Sequence, residues 1–365
     1  MQMTKIDVSD YEDFDNHEQV WHCDDAQTGL QAYIGIHNSN LGPALGGCRI
    51  YPYVSADLAI KDVLRLSRGM TYKSAMANLP LGGGKAVIVG DPARIKTPEL
   101  LHAMGRFVDS LGGAYITAED SGTSVADLQG IGAATAHVAG INGKHLADGT
   151  QISGDPSPST AYGVFMGITA AAKFRFGTEN LSGVRVAVQG VGNVGRHLVE
   201  LLVNAGAKVF IADLYSGPTE YLRERLPVTV ANNKTIHQAD VDLFAPCALG
   251  GIISCDSLGE IKAPLIAGAA NNQLANAAAG EKLFRMGKVY APDYVINAGG
   301  IIDIYHERLG YVHADLVKNL DGIYTSLLDL FGAAVDQGVP FHQMADQIAE
   351  RRFLGQSAKA MSDVA

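Results

Sequence analysis

One stretch limits the fold more than any other: VRVAVQGVGNVGRHLVELLVNAGAKVFIAD, residues 184–213. An apolar run reads as a buried strand. A glycine-rich turn follows, then an amphipathic helix, then a second apolar run ending in an acid. That is one βαβ unit, and it forces a parallel sheet with a crossover helix. Gly190, Gly192 and Gly195 fit G-x-G-x-x-G, and Asp213 follows at about the twenty-residue distance expected of a dinucleotide fingerprint. Each glycine has a physical task. Gly190 allows the tight turn, Gly192 lets the backbone approach a pyrophosphate, and Gly195 lets helix pack on strand. The free N–H groups of the helix N-terminus, carried by Gly190, Val191, Gly192, Asn193, Val194 and Gly195, face the anion. Asp213 is expected on the ribose hydroxyls, where its charge repels a 2′-phosphate. NAD is therefore the expected cofactor, ahead of NADP.

The chain has 365 residues, enough for two domains. With 47% hydrophobic and 18% charged residues, it can fill two cores. Strand and helix patterns alternate in both halves, which predicts an α/β fold with mostly parallel sheets. The Gly/Ser/Pro-rich segment 149–160 is the natural boundary. The expected domains are 1–150, binding substrate and making oligomer contacts, and 151–330, a Rossmann-type doubly wound NAD-binding domain. Residues 331–365 are expected to pack back on the first. The default site is the cleft between the domains. A formal charge of −10 argues against nucleic acid as a partner. The four cysteines form no C-x-x-C pair, no His cluster has metal-ligand spacing, and no apolar run reaches the length of a membrane span. The expectation is a cytoplasmic protein without a metal.

A second glycine cluster, LPLGGGKAVIVG at 79–90, resembles a phosphate loop but fails as one. The pattern G-x-x-x-x-G-K-[ST] needs glycine where Leu79 stands and a hydroxyl where Ala86 stands, and it must open a helix rather than a strand. Lys85 is left for another task. Lys73 stands near the end of the predicted helix that starts after Ser55. Both lysines lie in segments poor in charge, so burial is plausible. Two cations in a desolvated pocket lower each other's pKa, so one can bind an anion while the other serves as a base. An acid nearby completes a proton relay. Asp120, closing the strand AYITAED, is the best placed, with Glu119 as competitor.

The segments LGPALGGCR (41–49), LRLSRGMTYKSAMANLPLGGGKAVIVGDP (64–92), YITAED (115–120), VAVQGVGNVG (186–195), FAPCALGG (244–251), IAGAANNQL (266–274) and APDYVINAGGIID (291–303) together resemble the glutamate/leucine/phenylalanine/valine dehydrogenase family, leucine and phenylalanine enzymes above all. The resemblance implies oxidative deamination of an L-amino acid to a 2-oxo acid and ammonia, with reduction of NAD, in a homo-oligomer (dimer or octamer). It implies that Lys73 binds the substrate carboxylate, that Lys85 is the catalytic lysine, and that Asp120 shuttles protons. Gly46 contributes main-chain contacts. Thr160, Ala248, Asn271 and Asn272 belong to the cofactor side with the 190–195 loop and Asp213. In the implied mechanism hydride leaves Cα, Lys85 activates water for attack on the iminium, and Asp120 moves protons as the carbinolamine collapses.

The same resemblance speaks to the substrate. Glutamate-specific relatives carry a lysine where this chain has Leu45, so glutamate is disfavoured. Leu45, Met70, Ala118, Ile301 and Ile304 match side-chain pocket positions, and all are apolar. Ala118 fits the leucine-type pattern better than the aromatic one. Pocket size discriminates aliphatic side chains by only about 1–3 kcal/mol per methylene, so an aromatic substrate is the alternative. Asp303 departs from the asparagine usual in leucine-type enzymes: either it faces away from the pocket, or it marks a site changed toward an unusual or cationic substrate.

Overall fold

In the computed structural model the described residues are 1–145, 151–152, 154–248 and 250–362. The chain divides into two units, one of residues 1–154, 304–312 and 349–365, the other of 155–303 and 313–348. Of the expected boundary segment, positions 149, 150 and 153 lie outside the described residues.

The first unit is built on six strands: β1 (Gln2–Lys5), β2 (Gln19–Asp25), β3 (Leu30–Asn38), β4 (Ala44–Tyr51), β5 (Gly82–Val89) and β6 (Tyr115–Glu119), in the order β1-β2-β3-β5-β4-β6. This sheet corrects the expectation of mostly parallel pairing. β1–β2, β2–β3 and β3–β5 are antiparallel, and only β4–β5 and β4–β6 are parallel. The reason is local. Short turns join β2 to β3 and β3 to β4, the first closed by Gly29 at φ +75°, and no crossover helix intervenes. Helix α1 (Ala56–Met76) then carries the chain to β5, with Ser55 accepting from the Leu58 N–H as its cap. α2 (Pro92–Ile95) and α3 (Pro98–Asp109) precede β6, with Thr97 capping α3, and α4 (Val125–Gly132) follows.

The pleat sorts this sheet into two faces. Ala44, Cys48 and Ile50 of β4, Ala86 and Ile88 of β5 and Tyr115 of β6 pack with Leu100, Met104 and Phe107 of α3. On the other side Val87 joins Ala59, Ile60, Val63 and Leu64 of α1.

Under α1 lie two buried imidazoles, His17 and His37, edge to face with centroids 4.8 Å apart. His17 Nε2 donates to the Leu64 carbonyl at 2.9 Å, and His37 Nδ1 meets the Thr71 hydroxyl at 2.8 Å. Burial pushes His37 down to about 4, and the neighbouring His17 adds to the shift while Asp15 opposes it. A depressed histidine stabilises the fold fully above its unfolded value near 6.5, and that contribution disappears as pH falls through about 4. The expected loss is on the order of 3 kcal/mol. Urea midpoints at pH 7 and pH 4.5 measure it, and His37→Asn should flatten the difference.

After the two-residue strands β7 (Lys144–His145) and β8 (Gln151–Ile152), the second unit begins with α5 (Ser157–Phe176). Its sheet comprises β9 (Arg185–Gln189), β10 (Lys208–Ala212), β11 (Thr229–Val230), β12 (Leu243–Pro246), β13 (Leu265–Ile266) and β14 (Val289–Tyr290). All pairs are parallel, in the order β11-β10-β9-β12-β13-β14. Chain order along the sheet is thus 3-2-1-4-5-6, the doubly wound arrangement that opens a crevice where the order reverses. α6 (Asn193–Asn204) crosses from β9 to β10; α7 (Ser216–Arg223), α8 (Ala277–Arg285) and α9 (Asp293–Ile296) complete the alternation. The chain ends in α10 (Gly299–Arg308), α11 (His313–Gln337) and α12 (Phe341–Ser362).

The return of 331–365 to the first unit needs correction, because residues 331–348 stay with the second. Aromatic packing explains it: Phe331 and Phe341 meet edge to face, both contact Phe174 of α5, and Phe341 also meets Phe284 of α8 edge to face. From Ala349 on, bonds run to the first unit: Glu350 accepts from the Tyr72 hydroxyl, and Arg352 donates to the Ala75 carbonyl. No helix among the described residues is long and apolar enough to cross a membrane.

Candidate active site

Strand register assembles the first group of residues. β4 lies between β5 and β6, with Leu45 opposite Gly83 and Ile116, and Gly47 opposite Ala118. Alternation then places Leu45, Gly47 and Arg49 on the face that carries Gly83 and Lys85 on one side and Ala118 on the other. A Cβ on Gly83 would run into Thr71, so this is the face that α1 covers. Lys85 is 5% exposed, and Leu45 and Ala118 are buried as deeply.

A lysine buried to this extent needs a partner. Lys85 Nζ forms an ion pair with Asp120 Oδ2. Asp120 stands just past the end of β6, where its backbone N–H donates to the Thr123 hydroxyl at 2.9 Å and the Thr123 hydroxyl donates in turn to the Cys48 carbonyl. Burial would raise the Asp120 carboxyl, but the charges of Lys85 and then Arg49 outweigh it and hold the group below the usual carboxylate range. Glu119 is an exposed residue, whereas Asp120 meets the lysine.

Glycines bring the strands and the acid close. A Cβ on Gly46 would fall on the Gly84 carbonyl oxygen, and one on Gly47 would come within 2.6 Å of the Asp120 Cβ. The buried Tyr115 hydroxyl donates to the Gly46 carbonyl at 2.7 Å and fixes that backbone from the core side. Lys73 lies in the last turn of α1, half-buried, and Met70 precedes it on the same helix, also half-buried.

The second unit carries the nucleotide fingerprint. Gly190 has φ +93° and donates its N–H to the Ala212 carbonyl at 2.8 Å; its missing Cβ leaves room for Ala248, which would otherwise stand 2.8 Å away. A Cβ on Gly195 would strike the Gly190 carbonyl oxygen, so helix and loop touch there. Above Gly192 nothing lies within 4 Å, and no side chain caps α6. The helix thus presents uncapped N–H groups through an open approach, as a pyrophosphate requires. Asp213 Oδ2 accepts from the Val191 N–H at 2.8 Å, and Oδ1 from the Tyr215 N–H at 3.1 Å. The acid is held against the loop with lone pairs left for ribose hydroxyls. These features fit a dinucleotide.

Thr160 on α5 donates its hydroxyl to the Pro156 carbonyl, and Gly299 and Gly300 of α10 close on it. Asn271 and Asn272 are exposed, the latter at φ +51°; Asn297, 5% exposed, donates to the Asn271 side-chain oxygen at 2.8 Å. Ile301 is buried in the second unit, whereas Ile304 groups with the first beside Gly140. Asp303 is buried in α10.

Sequence reasoning missed three residues here: Arg49, Tyr115 and Asn297. Arg49 left a signal, a charged residue inside an otherwise apolar strand. Tyr115 and Asn297 read as ordinary strand and loop residues.

Comparison with known proteins identifies the family. Residues 17–137 match the pattern described as "Glu/Leu/Phe/Val dehydrogenase, dimerisation domain", and residues 153–217 and 219–314 match "Glutamate/Leucine/Phenylalanine/Valine dehydrogenase". The chain is 46% identical over 337 residues to leucine dehydrogenase of Bacillus subtilis, covering 92% of this chain and 91% of that one. It is 42% identical over 348 residues to phenylalanine dehydrogenase of Thermoactinomyces intermedius, covering 95% and 94%. L-tryptophan dehydrogenase of Nostoc punctiforme is 45% identical over 337 residues, covering 92% and 93%. A crystal structure of the Nostoc punctiforme protein superposes with a TM-score of 0.83 over 94% of this chain and 97% of that chain.

Proposed function

We propose that this chain, which belongs to the glutamate/leucine/phenylalanine/valine dehydrogenase family, oxidatively deaminates a hydrophobic, leucine-like L-amino acid to its 2-oxo acid and ammonia with NAD as hydride acceptor. It is an amino acid dehydrogenase. The observation that carries the substrate reading is the buried Lys85–Asp120 pair on a sheet face shared with the apolar Leu45 and Ala118.

The residues divide the work. The 190–195 loop holds the pyrophosphate, Asp213 the adenosine ribose, and Thr160, Ala248, Asn271 and Asn272 the nicotinamide half. When bound, the dinucleotide supplies the hydride acceptor. The Asp213 carboxylate repels a 2′-phosphate, which supports NAD over NADP. Lys73 Nζ takes the substrate carboxylate, the Gly46 main chain contacts the substrate, and Asp120 meets the amino group. Leu45, Met70, Ala118 and Ile304, all of the first unit, are the apolar groups for the side chain. Lys85 Nζ orients and deprotonates the attacking water, while the Asp120 carboxyl group passes protons to and from the departing nitrogen. Lys73 contributes by orientation, holding the carboxylate so that the Cα hydrogen faces the nicotinamide ring.

The assembly is a homo-oligomer in this reading, supported by the dimerisation-domain description of residues 17–137. The free thiols Cys23, Cys48, Cys247 and Cys255 suit the cytoplasm.

Incubation with NAD and single amino acids at alkaline pH, following NADH, tests the reading. Turnover with leucine, valine or isoleucine is expected. Silence with these and with methionine, phenylalanine and tryptophan would refute it. Similarity to the tryptophan dehydrogenase favours a second reading, aromatic specificity, which a kcat/KM for tryptophan or phenylalanine well above leucine would select. Lys73→Ala is expected to raise KM for the 2-oxo acid about tenfold to a hundredfold, the range for losing a charged hydrogen bond. An unchanged KM would remove Lys73 from the carboxylate.

A further inference from the structure

Asp120 has a second cation. Arg49 Nε lies 3.3 Å from the same Oδ2 that Lys85 reaches. Arg49 is itself tied down: its Nη1 donates to Asp62 Oδ2 at 2.8 Å, and the Tyr53 hydroxyl donates to that same oxygen. The result is a row of alternating charge, Lys85–Asp120–Arg49–Asp62, running from β5 across β4 to α1 and closed by Tyr53. Its side chains are mostly sheltered, from 7% exposed at Lys85 to 26% at Asp62.

We infer that Arg49 is a positioning residue for the reaction, keeping a fixed positive charge beside Asp120 while Lys85 stands as the neutral amine, before Lys85 takes its proton from the attacking water. The inference rests on the dehydrogenase reading above. The chemistry calls for such a group. With Lys85 as the only cation beside it, Asp120 would face a neutral amine during part of the cycle and would be left as a sheltered, uncompensated anion. Arginine suits the task because its guanidinium stays charged throughout: Nη1 donates to Asp62, while the Nε side meets Asp120 through charge alone. Asp62 and Tyr53 keep the fork from turning wholly toward Asp120. Besides the two cations, Asp120 faces the Cys48 thiol, which burial and then Asp120 push up to about 12. It also faces the Ser121 backbone N–H. Neither titrates near neutral pH, so the fixed charge beside Asp120 is that of Arg49.

Arg49→Met and Arg49→Lys test the inference, by kcat and KM across pH and by infrared titration of the Asp120 carboxylate, assigned through its loss in Asp120→Asn. Arg49→Met should lower kcat about a hundredfold with little change in the KM for NAD. Removing a positive charge raises the carboxyl pKa. The acid limb of kcat/KM and the infrared titration should both move up by about one unit or more. Arg49→Lys keeps the charge and should leave the limb near its original place, with kcat down several-fold. Unshifted titration and an unchanged limb in a folded Arg49→Met protein would overturn the assignment. If Arg49→Met does not fold, Asp62→Asn decides, since it frees Arg49 from its anchor. A several-fold fall in kcat supports the role, and an unchanged kcat rejects it. A shifted infrared titration in a protein that oxidises no amino acid would instead refute the dehydrogenase reading and leave Arg49's hold on Asp120 standing.

Discussion

Lys85→Ala is expected to lower kcat about a thousandfold while the NAD dissociation constant stays within about twofold. The two parts of this result come from different parts of the chain. Lys85 sits on β5 of the first unit, paired with Asp120. The glycine loop, Asp213 and the uncapped start of α6 all belong to the second unit. Removing the amine leaves those groups untouched and deletes the base that acts on water. It also leaves Asp120 with Arg49 alone, and breaking a buried ion pair on one side costs about 3–5 kcal/mol in stability. A urea titration must therefore accompany the kinetics, so that lost fold is not counted as lost chemistry. NADH fluorescence reports cofactor affinity directly. A large rise in the NAD dissociation constant with kcat retained would show that the glycine-flanked lysine serves the cofactor after all.

Gly46→Ala should be nearly as damaging, by another route. The added Cβ falls on the Gly84 carbonyl oxygen, a backbone atom of the neighbouring strand that cannot rotate away. β4 and β5 must move apart, and they carry Arg49 and Lys85. Overpacking of this kind costs about 3 kcal/mol or more. The Tyr115 bond to the Gly46 carbonyl would be strained as well. Loss of soluble protein, or a steep fall in melting temperature with little residual turnover, is the expected outcome. Gly69→Ala is the control. That glycine lies inside α1 with nothing within 4 Å of a Cβ, and alanine there should stabilise by about 0.5–1 kcal/mol. A Gly46→Ala protein as stable and active as this control would show that the strands can yield.

The second unit was readable because its signals are short-range. Strand, glycine turn, helix and acid follow one another within one βαβ unit, so spacing alone places Gly190 to Gly195 and Asp213. The first unit hid its mixed pairing because direction is set by the length of the connecting loops, not by the pattern of the strands themselves. The candidate site shows the same division. Lys85 and Asp120 could be named from strand-end position and burial, yet their contact joins residues far apart in sequence. Arg49 escaped notice although its segment was read, since nothing in a linear pattern says that a strand arginine bridges two carboxylates on different elements. Ile301 and Ile304, adjacent on one helix, fall to different units, a split no periodicity reveals. The ring cluster of Phe174, Phe331 and Phe341 likewise kept 331–348 with the second unit against expectation.

Strand β4 can be read as two interleaved messages. Its odd positions, Leu45, Gly47 and Arg49, share a face with Lys85, whereas Ala44, Cys48 and Ile50 at even positions address the α3 core. Substitution and length change therefore have different reach in this strand. Point changes can retune one message while the other is conserved, which leaves room for new pocket shapes on an unaltered scaffold. An inserted or deleted residue exchanges the two at once, turning Arg49 into the core and the core toward the lysine. Within 44–50, change of length is closed, and change of residue is open only away from Gly46, Gly47 and Arg49, whose places the neighbouring strand and Asp120 fix.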